Sequence, residues 1–353
     1  MSSGVSTIVL GGTGYVAGEL LRLLAGHAHM EVAAVLSDSQ PGMRVAEAFP
    51  HLQSTYPDLQ FSGLEAIETL VRRAACTALF CAAPHGIAAG LVDRLLAAAA
   101  AAGTRVHCVD ISADFRYASA AAYEAVYQHT HGAPHRLAEF TCAVPEHLAT
   151  APTPHVAHPG CFATAALLAS VPLLALNLTE SRLFVTGITG STGSGRKPVD
   201  GTHHPQRHSD LFAYNALSHR HTPEITACAK AATGVDAEYN FVPHSGPFAR
   251  GIHLTVQATL RKPQGAAAVR AAIADFYKDS PFVRVGAAMP HVKDVATSNY
   301  AQLSAVTNGT TLAVMAAIDN LNKGAAGGAV QWMNRLLGFP QDTGLTSPAP
   351  GWT

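Results

Sequence analysis

The stretch Ser6-Thr7-Ile8-Val9-Leu10-Gly11-Gly12-Thr13-Gly14-Tyr15-Val16-Ala17-Gly18-Glu19-Leu20-Leu21-Arg22-Leu23-Leu24 decides the fold. Ser6 to Leu10 reads as a short buried strand, and the leucines after Gly18 recur with helical spacing. Gly12-x-Gly14-x-x-Ala17 fits the dinucleotide fingerprint, with alanine in the third place, in the strand–turn–helix context that gives the motif meaning. Gly12 is expected to permit the tight turn, Gly14 to let backbone approach a pyrophosphate, and Ala17 to let helix and strand pack closely. The phosphates would rest on the helix N-terminus. Gly12, Thr13, Gly14, Tyr15 and Val16 are therefore the first candidate cofactor contacts.

Working outward, a second strand over 31–36 ends in Ser37-Asp38-Ser39, at the distance where an adenosine ribose is met. Ser37, Ser39 and Arg44 suit a 2′-phosphate, whereas Asp38 repels one or binds a free 2′-hydroxyl. Further strands over 76–83 and 106–111 end in Pro84-His85-Gly86 and in Ser112-Ala113-Asp114-Phe115-Arg116, with a helical pattern over 88–102 between them. Alternating strand and helix means an α/β, Rossmann-type domain with a doubly wound parallel sheet, and ligands beyond the carboxyl ends of its strands. Past residue 160 the texture changes. A strand over 182–189 opens into Gly190-Ser191-Thr192-Gly193-Ser194-Gly195-Arg196-Lys197, and 237–242 and 252–260 alternate like strands of an antiparallel sheet. Residues 286–289 lead to a short strand before Asp294, helices are expected over 311–321 and 329–337, and the tail after Gly338 should be loosely held. The second domain is thus α+β with a mixed or antiparallel sheet.

The reactive centre is sought in His158-Pro159-Gly160-Cys161-Phe162-Ala163-Thr164. Proline and glycine lead tightly into an apolar helical run that Pro172 should end, which puts Cys161 in a first helical turn. Orphan N–H groups and the positive dipole end stabilise a thiolate there, the form a cysteine nucleophile needs. A lone free cysteine is more often a small buried hydrophobe, and the rest of the chain tips the balance. The loop from Gly190 to Lys197 lacks the spacing of a Walker motif. It offers N–H groups, hydroxyls and two cations to an oxyanion. His219-Arg220-His221-Thr222-Pro223-Glu224 supplies histidines, the usual partners of a nucleophilic cysteine, on a stretch that Pro223 should keep irregular.

The chain is 353 residues long, 48% hydrophobic and 13% charged, with formal net charge -1, so it has room for two cores and no basic excess for nucleic acid. No apolar run is long enough to span a bilayer, and 1–7 does not read as a secretory signal. Six cysteines without CxxC spacing argue for reduced thiols in a cytoplasm and against a metal site. His203-His204 reads as a solvated pair.

Taken together, GGTGYVAGELLRLL, SADFR at 112–116, HPGCFATAAL around Cys161, GSTGSGRKP at 190–198, HRHTPEI at 219–225, RGI at 250–252 and DNLNKGAAGGAVQ at 319–331 resemble the N-acetyl-gamma-glutamyl-phosphate reductases of arginine biosynthesis, over nearly the whole length. The resemblance implies an NADP-binding domain over 1–157 and 320–353, and a catalytic and dimerisation domain over 158–319. It implies NADPH, a small-molecule acyl phosphate substrate and a homodimer or homotetramer. It also implies Cys161 as nucleophile and His219 as acid or base, with His221 second. Cofactor contacts would extend to Ser37, Ser39, Pro84, His85, Ser191, Gly193 and Asn320, the last on the nicotinamide amide. Ser112, Arg116, Arg196, Lys197 and Arg250 are candidates for the substrate's anionic groups. The pair Ser37-Asp38 stands where family members commonly carry Ser-Arg, and His158 where they often carry asparagine. Related readings are an aspartate-semialdehyde dehydrogenase, a lysine-pathway reductase, or a nucleotide sensor without chemistry.

Overall fold

The computed structural model describes residues 4–352. They form two compact units, one of 4–143, 150–158 and 326–345, the other containing 144–149 and 159–325.

In the first unit β1 (Val5–Leu10), β2 (Met30–Leu36), β3 (Phe61–Ser62), β4 (Cys76–Cys81), β5 (Arg105–Asp110), β6 (Phe140–Cys142) and β7 (His155–Ala157) make one sheet in the order β3-β2-β1-β4-β5-β7-β6. Every pairing in it is parallel. Ile8, Val9 and Leu10 are fully buried, as a strand covered on both faces requires. The helices α1 (Tyr15–Leu24), α2 (Val45–Ala48), α3 (Leu64–Arg73), α4 (Ala88–Ala102) and α5 (Ala120–Tyr127) belong to the same unit. Strand order reverses between β1 and β4, the switch point at which such sheets open a crevice. The ends of these two strands nearly touch. Gly11, not Gly12, takes the left-handed turn (φ 82°), and a Cβ there would lie 2.4 Å from the Ala82 carbonyl. Gly12 is required for another reason: its Cβ would lie 2.7 Å from the Leu36 carbonyl.

The second unit is built on α6 (Cys161–Ala175), in which every residue from Phe162 to Leu174 is buried. Around it run β8 (Arg182–Thr189), β9 (Phe212–Ala213), β10 (Glu238–Ser245), β11 (Ile252–Thr259), β12 (Val283–Val285), β13 (Ala301–Asn308) and β14 (Thr311–Ile318), with α7 (His204–Arg207), α8 (His221–Thr233) and α9 (Ala266–Phe276). The sheet order is β12-β13-β14-β11-β8-β10-β9. The sheet is mixed, because β10 runs parallel to β8 rather than antiparallel as its alternation suggested. The helix α6 does not stop at Pro172. The proline removes a donor to the Leu168 carbonyl, and the Tyr277 hydroxyl donates to that oxygen instead at 2.8 Å.

Three further expectations give way. Residues 311–318 form a strand, not a helix: Leu312, Val314, Ala316 and Ile318 are buried with period two, and β13 and β14 meet across the turn Gly309-Thr310. Ala, Leu and Met favour helix in isolation, and pairing on both edges overrides that preference. The short strand near 286–289 lies earlier, at Val283–Val285. The tail is not loose as far as Leu345: Asn334 Nδ2 donates to the carbonyls of Gln341 and Thr343 at 3.3 and 2.9 Å, and Leu345 is buried. Asn334 lies on α10 (Gly327–Leu336), where the chain has returned to the first unit.

The packing also divides the chain differently from 157/158 and 319/320. Residues 144–149 belong to the second unit because Glu146 pairs with Lys323 at 2.6 Å and His147 Nε2 bonds the Tyr277 hydroxyl at 2.9 Å. Both partners of the ion pair are buried, and the Lys323 ammonium lies 5.6 Å from the Phe282 ring centroid. Removing one partner of such a pair strands the other charge. Lys323→Met should therefore cost about 3–5 kcal/mol in urea unfolding, and Lys323→Met/Glu146→Leu should recover most of it. A double variant as unstable as the single one would contradict this.

Candidate active site

Cys161 is the first residue of α6, and Gly160, extended at φ −62° and ψ 159°, is its N-cap. No side chain caps the helix, so its first-turn N–H groups and dipole point at the Cys161 end. The approach to this turn is fixed by Glu224 on α8, fully buried, whose carboxylate accepts the Gly160 N–H at 2.6 Å. Two glycines let neighbours close in. A Cβ on Gly187 of β8 would lie 2.5 Å from the Phe162 ring, and one on Gly324 would lie 2.8 Å from the Cys161 Cβ. Gly324 sits in a turn governed by Asp319, whose carboxylate accepts from the N–H groups of Thr297, Leu321 and Asn322 and from the Arg250 guanidinium.

A cavity of about 410 Å³ opens here, lined by Cys161, Phe162, Ser194, Tyr214, His219 and His221 among others. His219 is buried among aromatic rings, 5.9 Å from Phe162, 5.6 Å from Tyr214 and 5.3 Å from Phe241 between centroids. Its Nδ1 accepts the His221 N–H at 3.1 Å, so the neutral ring carries its proton on Nε2. Burial, then the charge of Arg220, pulls the imidazole down to about 4. Burial, then a negative Cys161, pushes the Tyr214 phenol up to about 12, which keeps it a hydroxyl donor. The loop before His219 is tight: Asn215 and Leu217 both have positive φ, at 44° and 57°. Pro223 sits inside the first turn of α8, where its missing N–H costs nothing, and His219 and His221 share the cavity 4.7 Å apart.

The loop at 190–197 is not a cradle of open N–H groups. Those of Gly190, Ser191, Thr192, Gly193 and Gly195 all bond backbone carbonyls. Asn320 spends Oδ1 on the Gly251 N–H at 2.7 Å and Nδ2 on the Thr192 hydroxyl at 3.1 Å, so it joins two loops. Arg250 is paired with the buried Asp319, and Arg196 and Lys197 are exposed. Ser112 donates to Asp110 at 2.9 Å and Arg116 Nη2 donates to the Ile111 carbonyl at 2.8 Å, both buried in the first unit.

In that unit the switch-point crevice holds the fingerprint. Gly14 is the N-cap of α1 with no side-chain cap, and a Cβ on it would meet nothing nearer than 3.8 Å. Bare N–H groups beside open space suit a pyrophosphate. Ser37 is buried with its hydroxyl 3.4 Å from that of Ser39, while Asp38 is exposed and Arg44 pairs with Glu47 at 2.9 Å. Pro84 and His85 are exposed after β4, with His85 Nδ1 accepting the Ala113 N–H at 3.2 Å. Among the described residues no His, Cys, Asp or Glu cluster could hold a metal ion, and no helix is long and apolar enough to cross a membrane.

Two family profiles match this architecture, one described as the semialdehyde dehydrogenase NAD binding domain over residues 6–148, the other as the semialdehyde dehydrogenase dimerisation domain over 161–320. Solved structures agree on the fold. An aspartate semialdehyde dehydrogenase II from Vibrio cholerae matches with TM-score 0.68 at 17% identity, covering 95% of this chain and 98% of that one. One from Candida albicans, solved with NADP, matches with TM-score 0.63 at 14% identity, covering 95% and 99%. Fold and profiles thus define a semialdehyde dehydrogenase. N-acetyl-gamma-glutamyl-phosphate reductases of Ectopseudomonas mendocina and Pseudomonas aeruginosa PAO1 are each 38% identical over 348 residues, 97% of this chain and 98% of theirs. The chain belongs to the N-acetyl-gamma-glutamyl-phosphate reductase family.

The contacts of Glu224 with Gly160 and of Gly324 with Cys161 join residues far apart in the chain. The signal for Glu224 was an acid between Pro223 and Ile225 in a first helical turn. His219 yields a pH test. The unfolded ring titrates near 6.5 and the folded one near 4, so the folded state refuses a proton that the unfolded state accepts. This contribution, on the order of 3 kcal/mol, is complete above pH 6.5 and disappears as pH falls to about 4. Between those values the wild type should lose stability more steeply than His219→Asn, measured by thermal melting across pH. Parallel curves would contradict the buried neutral ring.

Proposed function

We propose that the chain reduces N-acetyl-L-glutamyl 5-phosphate to N-acetyl-L-glutamate 5-semialdehyde with NADPH, through a thioester on Cys161. The observation that carries this is the position of Cys161 at the uncapped start of α6, in one cavity with His219 and Tyr214. The Cys161 thiolate attacks the acyl carbonyl. Its C–S bond forms, and the C–O bond to phosphate breaks through a tetrahedral oxyanion. Phosphate leaves with the bonding pair and takes up a proton. First-turn N–H groups of α6, the Tyr214 hydroxyl and the His219 Nε2–H are the donors assigned to the oxyanion. In this reading His219 acts first as a donor, because its Nδ1 is engaged by the His221 N–H. NADPH, when bound, supplies the hydride that converts the thioester to the semialdehyde and returns the thiolate. The turn from Gly12 to Val16 is assigned to its pyrophosphate, and Ser37 and Ser39 to the 2′-phosphate.

The enzyme is read as cytoplasmic, in keeping with six free thiols. It is read as a homodimer or homotetramer, supported by the matched dimerisation domain and by the half-exposed Phe184 on the outer side of β8.

NADPH oxidation should be fast with N-acetylglutamyl phosphate and at least about a hundredfold slower in kcat/KM with aspartyl phosphate, a difference of roughly 2.7 kcal/mol. Cys161→Ser should bind NADPH normally and lose more than about 99.9% of turnover, about 4 kcal/mol in barrier terms. A preference for aspartyl phosphate would overturn the substrate, and a Cys161→Ser enzyme with a tenth of wild-type activity would overturn the nucleophile.

A further inference from the structure

Arg207, the last residue of α7, is only 8% exposed, yet its Nε, Nη1 and Nη2 are all buried without a hydrogen-bond partner among the described residues. A guanidinium has five donors in a rigid fork. Buried polar atoms are nearly always satisfied, and a group left like this in a folded chain calls for an acceptor that is not part of the chain. The guanidinium carbon lies 5.8 Å from the centroid of the Phe212 ring. Burial lowers the pKa of Arg207 and the charge of Asp210 offsets part of that effect, but the two form no ion pair among the described residues.

The place of this cation matters. Phe212 lines the cavity that holds Cys161, as do Gly201 and Thr202 just ahead of α7. The cations singled out from the sequence offer less: Arg250 is paired with Asp319, and Arg196 and Lys197 are exposed to solvent. We propose that Arg207 is an oxyanion-binding residue of the substrate pocket, its fork receiving a carboxylate or phosphoryl group of the acyl phosphate beside Phe212. The shared chemistry is a planar or tetrahedral oxyanion held by paired N–H donors. The proposal rests on the function above for the identity of that anion.

The test uses Arg207→Met, which keeps the length and apolar stem, in the phosphorylating direction with N-acetylglutamate semialdehyde and inorganic phosphate as separate variables. One KM should rise by at least about tenfold, the scale of a lost charge-assisted contact. A rise for phosphate alone assigns the phosphoryl group, and a rise for the semialdehyde alone assigns the carboxylate. The melting temperature without ligand should be unchanged or higher, because an unsatisfied buried cation has been removed. Arg207→Lys should recover part of the affinity and serves in place of the methionine variant if that one fails to fold. Unchanged KM values, or a lowered melting temperature with both KM values unchanged, would overturn the proposal and leave Arg207 a structural residue. If the wild type turns over neither substrate, the fault lies with the proposed function. Arg207 is then tested by the protection that N-acetyl-L-glutamate or inorganic phosphate gives Cys161 against iodoacetamide. Protection by at least one of them should be present in the wild type and lost in Arg207→Met. Its presence in both, or its absence in the wild type, would also overturn the proposal.

Discussion

The hydrogen bond from the Gly160 N–H to the buried Glu224 carboxylate is the constraint on which the second unit turns. It joins the approach to α6 with the first turn of α8, the two helices that supply Cys161 and the end of the histidine loop. A charge-assisted bond of this kind contributes about 1.5–3 kcal/mol. Its larger effect is geometric. With Gly160 fixed, the first-turn N–H groups of α6 keep one direction, and the thiol stays at their positive end. Gly187 then lets Phe162 lie against β8, and Gly324 lets the Asp319 turn close on Cys161 itself. A side chain at either glycine would push Phe162 or Cys161 out of register.

The surroundings of this turn offer mostly hydrogen-bond donors and few mobile charges. His219 is neutral, ringed by aromatic groups and oriented by a backbone N–H; Tyr214 keeps its proton. Asp319 and Arg250 neutralise each other in an ion pair. Such a site is arranged in advance for an oxyanion, and its donors need not reorganise when charge develops. Arg207, whose guanidinium has no hydrogen-bond partner among the described residues, fits the same logic, since a cation without an acceptor costs stability in the empty protein and recovers it when an anion arrives.

Much of this could be read from local sequence. A strand, a glycine turn and a leucine-rich helix specify the first unit because each rule concerns residues close in the chain. The same holds for Cys161 after Pro159-Gly160. What escaped depends on distant partners. Residues 311–318 look helical until β11 and β13 pair with them, although Asn308-Gly309 is a hairpin signal that was available. Gly12 was given the turn that Gly11 makes, because only the folded sheet brings Ala82 onto Gly11. The loop at 190–197 has the composition of an anion nest, but the N–H groups of Gly190, Ser191, Thr192, Gly193 and Gly195 are taken by carbonyls at 190, 192, 248, 249 and 251. The acid of Glu224 is visible between Pro223 and Ile225, but its burial, like that of Arg207, depends on distant partners that local sequence does not show.

Reduction through Cys161 requires a covalent acyl group on its sulfur. The direct measurement is intact-protein and peptide mass spectrometry after mixing enzyme with N-acetylglutamyl phosphate in the absence of NADPH, quenched in acid. A mass increase of one N-acetylglutamyl group is expected on the peptide containing Cys161, removed by hydroxylamine and discharged when NADPH is added before the quench. An enzyme that consumes NADPH with this substrate yet shows no adduct on Cys161, or carries the adduct on another residue, would contradict it.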